Sequence, residues 1–74
     1  MNEYIINVNE VEELQMISRT TELEQMFTRA QSMVVQGGTV VLVRETPDGS
    51  IYRFEEITTE ADLNTYKASV FKYL

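Results

Sequence analysis

Between Leu23 and Val34 the apolar residues Leu23, Met26, Phe27, Ala30, Met33 and Val34 recur at three- and four-residue steps. That spacing places them on one face of a helix. The opposite face holds Glu22, Gln25, Arg29, Gln31 and Ser32. The pattern predicts a helix from about Thr21 to Gln36, lying on a core. Thr21 and Glu24 have the spacing of a capping box, in which each side chain bonds the other's backbone N–H. Gly37 stands where a left-handed C-cap residue is expected.

A different period follows. Residues Thr39 to Glu45 are rich in β-branched side chains, and Ile51 to Ile57 alternate in a second arm. Between them lies Thr46-Pro47-Asp48-Gly49-Ser50. Proline suits the first corner of a type I turn, and glycine the left-handed position after it. A Pro47-Asp48-Gly49 loop sets Thr46 opposite Ser50, Arg44 opposite Tyr52 and Leu42 opposite Phe54. One face of the hairpin is then expected to carry Val40, Leu42, Tyr52 and Phe54. The other carries Val41, Val43, Glu45, Ile51, Arg53 and Glu55.

A second helix is predicted from about Glu60 to the end. Thr59 and Asp62 are placed as an N-cap and its N3 partner. Glu60 and Asp62 lie at the positive end of the helix dipole, with Lys67 and Lys72 towards the negative end. Leu63, Tyr66, Val70, Tyr73 and Leu74 form its apolar stripe, with Ala61 and Phe71 at the margins.

The N-terminal third fits two periods. Val11, Leu14 and Ile17 recur in threes, as in a short helix over residues 9–17. Tyr4, Ile6 and Val8 alternate, as do Leu14 and Met16, and a fold about Asn9-Glu10-Val11 brings these partners to one face. The favoured expectation is two strands. The fold class is then α+β: a two-layer sandwich in ββαββα order, with a four-stranded, mostly antiparallel sheet and two helices on one face. A strand order of 2-1-3-4 satisfies crossover handedness. The alternative is a βαββα order with the early helix.

Composition narrows the possible chemistry. A chain of 74 residues holds one domain, here residues 1–74, with a thin core. It has neither His nor Cys, so histidine acid–base steps, Ser-His-Asp and Cys-His nucleophiles and most transition-metal sites are excluded. Gly37-Gly38 is not followed by the Lys and Ser/Thr of a phosphate-binding loop, and no EF-hand ligand pattern occurs. The adjacent pairs Glu12-Glu13 and Glu55-Glu56 point to opposite faces if they lie on strands. The chain is accordingly expected to be no enzyme and to need no cofactor or metal. Absence of cysteine favours a reducing compartment. No run of apolar residues is long enough to span a membrane, and residues 1–9 lack the features of a signal peptide. A cytoplasmic protein without membrane contact is the expectation.

Charge is the most unusual bulk feature. Twelve acidic and six basic residues leave a net charge of −6, which repels nucleic acid and anionic lipid. No direct nucleic-acid binding is expected. Glu10, Glu12, Glu13, Glu22 and Glu24 crowd the first third beside a single basic residue, Arg19. Their plain role is solubility; their sharper one is an acidic face that docks a basic partner or mimics a phosphate backbone. Arg44, Tyr52 and Arg53 are best explained by cross-strand salt bridges to the surrounding Glu45, Glu55 and Glu56. Met16, Met26 and Met33 fill the core.

With both helices on one side, the far face of the sheet is left bare. It is expected to hold Ile5, Ile17, Val41, Val43 and Ile51 together with Arg53. Such an apolar patch marks an interface, although β-branched residues also suit any strand. Two functions follow as expectations. The first is a non-catalytic interaction module or adaptor that binds a protein partner or itself, as a C₂ homodimer. The second is an acidic inhibitor or nucleic-acid mimic that binds a basic protein.

Overall fold

A computed structural model describes residues 2–72 and Leu74. The chain runs β1 (Glu3–Asn7), α1 (Val8–Met16), α2 (Thr20–Val35), β2 (Thr39–Glu45), β3 (Ile51–Ile57) and α3 (Glu60–Phe71). The class is α+β, as expected. Among the described residues, however, the sheet has three strands and carries three helices, in βααββα order. Neither ββαββα nor βαββα gives the full order, but the early helix of the second, expected over residues 9–17, does form. The strand order is β1-β2-β3, with β2 parallel to β1 and antiparallel to β3, in place of 2-1-3-4.

The main correction concerns residues 8–16, which form a helix and not a second strand. Asn7 caps it: its side-chain oxygen accepts a hydrogen bond from the Asn9 N–H at 2.9 Å. Val8, Val11 and Leu14 are buried at three-residue steps. The run Glu-Glu-Leu-Gln-Met after Val11 is made of good helix formers, and the supposed Asn9-Glu10-Val11 turn lacks the glycine a tight hairpin prefers. Met16, expected in the core, is therefore exposed beyond the last buried turn.

Both helix ends near the α1–α2 junction depart from simple sequence signals. Helix α2 begins at Thr20, one residue before the expected start, so the Thr21–Glu24 box does not form. Its N-cap, Arg19, makes no side-chain capping bond; it pairs instead with Glu22 at 2.6 Å. The far end of α2 behaves as expected. Gly37 has φ +87°, its N–H bonds the Val34 carbonyl, and the Gly38 N–H bonds that of Met33. This is a Schellman motif. The end of α1 repeats it, with Ser18 N–H on Gln15 and Arg19 N–H on Leu14. There the left-handed residue is Ser18, at φ +54°.

One cluster joins the layers. Ile6 of β1, Val40 and Leu42 of β2 and Ile57 of β3 meet Val11, Leu14, Leu23, Phe27, Leu63 and Val70 from the three helices. All three helices thus cover the same sheet face. Complete burial of a side chain such as Leu23 or Ile6 contributes about 1.5–3 kcal/mol. Phe27 links α2 to α3, with ring centroids 5.6 Å from Tyr66 and 6.0 Å from Phe71. Helix α3 starts as predicted: the Thr59 hydroxyl accepts from the Asp62 N–H at 3.1 Å. Of its expected apolar stripe, Leu63 and Val70 are buried, Tyr66 is half-buried and Leu74 exposed, while Phe71, expected at the margin, is half-buried too; Tyr73, like Met1, lies outside the described residues.

The left-handed Ser18 yields a direct test. Ser18→Gly removes the steric cost of that conformation against a smaller loss of chain entropy, and should stabilise the fold by about 0.5–1 kcal/mol. Urea unfolding should show a higher midpoint with an unchanged slope.

Candidate interaction surface

The residues expected on the bare sheet face divide into three groups. Val41 and Val43 do lie on that face of β2, between Ile5 and Asn7 of β1 and Glu56 and Arg53 of β3. They are nevertheless only 0% and 5% exposed. Arg53 reaches from β3 to Glu3 on β1, Nη2 to Oε2 2.7 Å. The register carries this ion pair diagonally across β2, over Val41. Ile5 and Ile51 are more than half exposed, but they flank β2 from different strands. Ile17 is not on the sheet at all: it is the C-cap of α1. The far face therefore offers a partner two separated isoleucines and an ion pair, a smaller apolar surface than the sequence pattern implied.

The five acidic residues proposed as a docking face are not gathered either. Glu12 is held in a two-pronged pair by Arg44, at 2.8 and 3.2 Å, and Glu22 by Arg19. Glu10 and Glu22 line a groove between β1 and α2 that also contains Arg29. Glu24 borders a different depression, again with Arg29. Glu13 is exposed on α1. Arginine side chains interrupt or neutralise this acidic surface wherever it turns concave.

The structure instead singles out β3. It is an edge strand, and six of its seven residues are exposed. Three are large and apolar: Ile51, Tyr52 and Phe54, exposed to 63%, 59% and 54%. The hairpin turn forms as predicted. Gly49 has φ +89°, the Thr46 N–H bonds the Ser50 carbonyl at 2.8 Å, and the Gly49 N–H bonds that of Thr46. Arg44 faces Tyr52 and Val43 faces Arg53. Beyond that the register shifts, and Leu42 meets Glu55 in place of Phe54. Phe54 is the extra residue of a β-bulge, and such a bulge turns two successive side chains towards one face. Glu55 accordingly leaves the bare face, where the regular alternation had put it, for the helix side.

Two shallow grooves meet along this side of β3. One, of about 490 Å³, separates β3 from α3 and is lined by Glu55, Glu56, Ile57, Asp62, Thr65, Tyr66 and Ser69. The other runs from Phe54 and Arg44 across Val8, Val11, Tyr66 and Val70 to Glu12 and Gln15 of α1. Tyr66 and Ser69 belong to both. Sequence reasoning missed the approach of Glu55 to Asp62, because the bulge at Phe54 that moves Glu55 to the helix side has no mark in the local alternation. Among the described residues, no group of three or more acidic side chains is disposed to hold a metal ion.

The arginines expected to bridge across the hairpin find their partners elsewhere. Arg44 pairs with Glu12 of α1 and Arg53 with Glu3 of β1, so each ties the hairpin to the N-terminal elements. The hydrogen bond from Arg44 holds the Glu12 carboxyl below its ordinary range. Tyr66 is pushed up to about 12, chiefly by burial and further by the negative charges of Glu12 and Glu55. In the turn, the Thr46 hydroxyl and the Ser50 N–H hold Asp48 below its usual value.

Two outcomes follow from these placements. Val41→Glu should destabilise the chain by about 2 kcal/mol or more, because it puts a charge into a site closed within one protomer. Ile5→Glu beside it should change stability by no more than about 0.5 kcal/mol. Equal effects in chemical denaturation would show that the Arg53–Glu3 cover does not enclose Val41. Tyr66 supplies the second. A phenol whose folded pKa lies above its unfolded value contributes stability that is complete below the unfolded value, near 10, and is lost as pH rises through about 12. Stability should fall over that window, and Tyr66→Phe should flatten the fall.

No protein-family model, no curated protein and no solved structure matches this chain.

Proposed function

We propose that this chain is a non-catalytic protein-interaction module whose docking element is β3. The observation that carries this is the exposure of Ile51, Tyr52 and Phe54 on an edge strand. An edge strand presents a row of unpaired backbone N–H and C=O groups, which a second chain can satisfy by adding a strand. Alternate side chains then supply specificity on either side of the backbone. Two exposed aromatic residues on that strand offer the kind of amphipathic anchor that is enriched where proteins meet. The absence of His and Cys from the sequence supports a role in binding and not in bond-making. Self-association is a special case of the same function, with β3 of a second protomer as the added strand and a two-fold axis between them.

Immobilised wild-type chain and a Tyr52→Glu, Phe54→Glu variant, used side by side to capture proteins from native lysate, test the proposal. The variant should retain the wild-type circular dichroism spectrum, since both side chains already face solvent, and should lose whatever partner the wild type retains. A partner held equally by both would place the docking surface away from β3. Light scattering on the two proteins separates a foreign partner from a second copy: only self-pairing makes the wild type a dimer and the variant a monomer.

A further inference from the structure

Taking β3 as the docking edge, we infer that its occupant is an extended segment of another protein that carries lysine or arginine at alternate positions, added as a fourth strand with its cations over the groove between β3 and α3. Complementarity of charge selects this occupant. The groove beside β3 is bordered by Glu55, Glu56 and Asp62, and no basic side chain lines it. Elsewhere on the surface, Glu3, Glu12 and Glu22 are paired with Arg53, Arg44 and Arg19, and the depressions bordered by Glu10, Glu22 and Glu24 also hold Arg29. Among the described residues, Glu55, Glu56 and Asp62 take part in no ion pair.

The rest of the groove suits such a side chain. Its wall is apolar at the half-buried ring of Tyr66, with the hydroxyls of Thr65 and Ser69 beside it. A lysine or arginine lays its aliphatic stem along surface of this kind and keeps its charged end in water. Tyr52 and Phe54, exposed on the same strand, present ring faces that attract cations. The Tyr66 phenol is displaced upward chiefly by its burial and, beyond that, by the charges of Glu12 and Glu55, against the opposing charge of Arg44. A second copy of the chain is the poorer occupant. Each copy carries a net charge of −6, and edge-to-edge pairing brings two sets of Glu55 and Glu56 to one seam, where like charges repel.

The β1 edge does not compete. That strand has five residues to the seven of β3, and Arg29 stands in the groove beside it, which opposes a basic segment.

The experiment is a titration of the full chain, ¹⁵N-labelled, with a blocked synthetic peptide of alternating lysine and valine. A matched peptide with glutamate in place of lysine is titrated in parallel. The lysine peptide should shift the amide signals of residues 51–57 and 62–69, and its affinity should fall as salt is raised, because exposed charge pairs are screened. The glutamate peptide should leave those signals in place. Glu55→Gln with Glu56→Gln removes two charges from exposed positions and should weaken binding by roughly tenfold without altering the unfolding midpoint by much.

Other outcomes overturn the proposal in distinguishable ways. Equal shifts of β3 by both peptides would keep β3 as a docking edge but remove the preference for a basic occupant. Shifts confined to α1 and α2 would move the basic contact to Glu10, Glu13 and Glu24. Shifts of β3 that grow with protein concentration alone would make a second copy the occupant. No shift with either peptide, and none on concentration, would remove both the basic segment and β3 as the docking edge.

Discussion

The fold depends on closing both faces of one strand. In a three-stranded sheet only the middle strand has neighbours on either side, and here that strand is β2. Residues Thr39 to Val43 are buried without a break. Val40 and Leu42 are covered by helices, the ordinary solution in a two-layer α+β domain. Val41 and Val43 have no second layer. They are closed by the side chains of the flanking strands and by the Arg53–Glu3 ion pair that spans them. A guanidinium on a long aliphatic stem suits this role, since the stem covers apolar surface while the head stays hydrated and paired. The pair is solvent-exposed and adds little through Coulomb attraction; its larger contribution is the apolar surface it shields.

Most of the long-range polar contacts serve a related purpose, joining the N-terminal elements to the later ones. Arg44 reaches Glu12 and Asn9, the Asn9 amide donates to the Glu45 carbonyl at 2.6 Å, and the Gln15 amide donates to the carbonyl of Val70 at 2.9 Å. Helix α1 is short, and a helix of nine residues is marginal by itself. These bonds, with Val8, Val11 and Leu14 in the core, hold it between the hairpin and α3. The consequence for recognition is an uneven surface. The side bearing β1, α1 and α2 carries the ion pairs of Glu3, Glu12 and Glu22 and the guanidinium of Arg29 in its depressions, whereas β3 is left with exposed apolar side chains beside a groove that no basic residue lines.

Local chemistry was enough for much of the chain. The apolar period of α2, the glycine at its C-cap, the Thr59–Asp62 cap of α3 and the Pro47-Asp48-Gly49 turn all act within a few residues, where backbone preference and side-chain capping decide the outcome. Residues 8–16 show the limit. Their apolar positions satisfy a two-residue and a three-residue period at once, and the decision for helix came from the Asn7 cap and from β1 pairing parallel to β2. A parallel pair needs a crossover, which α1 and α2 supply. The candidate surface was less legible still. Ile17 left the sheet when residues 8–16 became helical, and Glu55 changed face because of a bulge at Phe54. Glu12 and Glu22, expected in an acidic docking face, became the partners of Arg44 and Arg19.

By itself the sequence determined the class of object: an acidic α+β domain without histidine or cysteine chemistry, with a long amphipathic helix, a three-residue-loop hairpin and a capped final helix. These are matters of composition and of interactions between near neighbours, and they hold whatever the rest of the chain does. Tertiary structure alone decided which strand lies at the centre, which valines are closed off, and which glutamates Arg44 and Arg53 answer. It also decided that β3 keeps an open edge beside three carboxylates. Each of those outcomes joins residues far apart in the chain, so none leaves a mark in local spacing; they follow only once β2 must be covered on both faces.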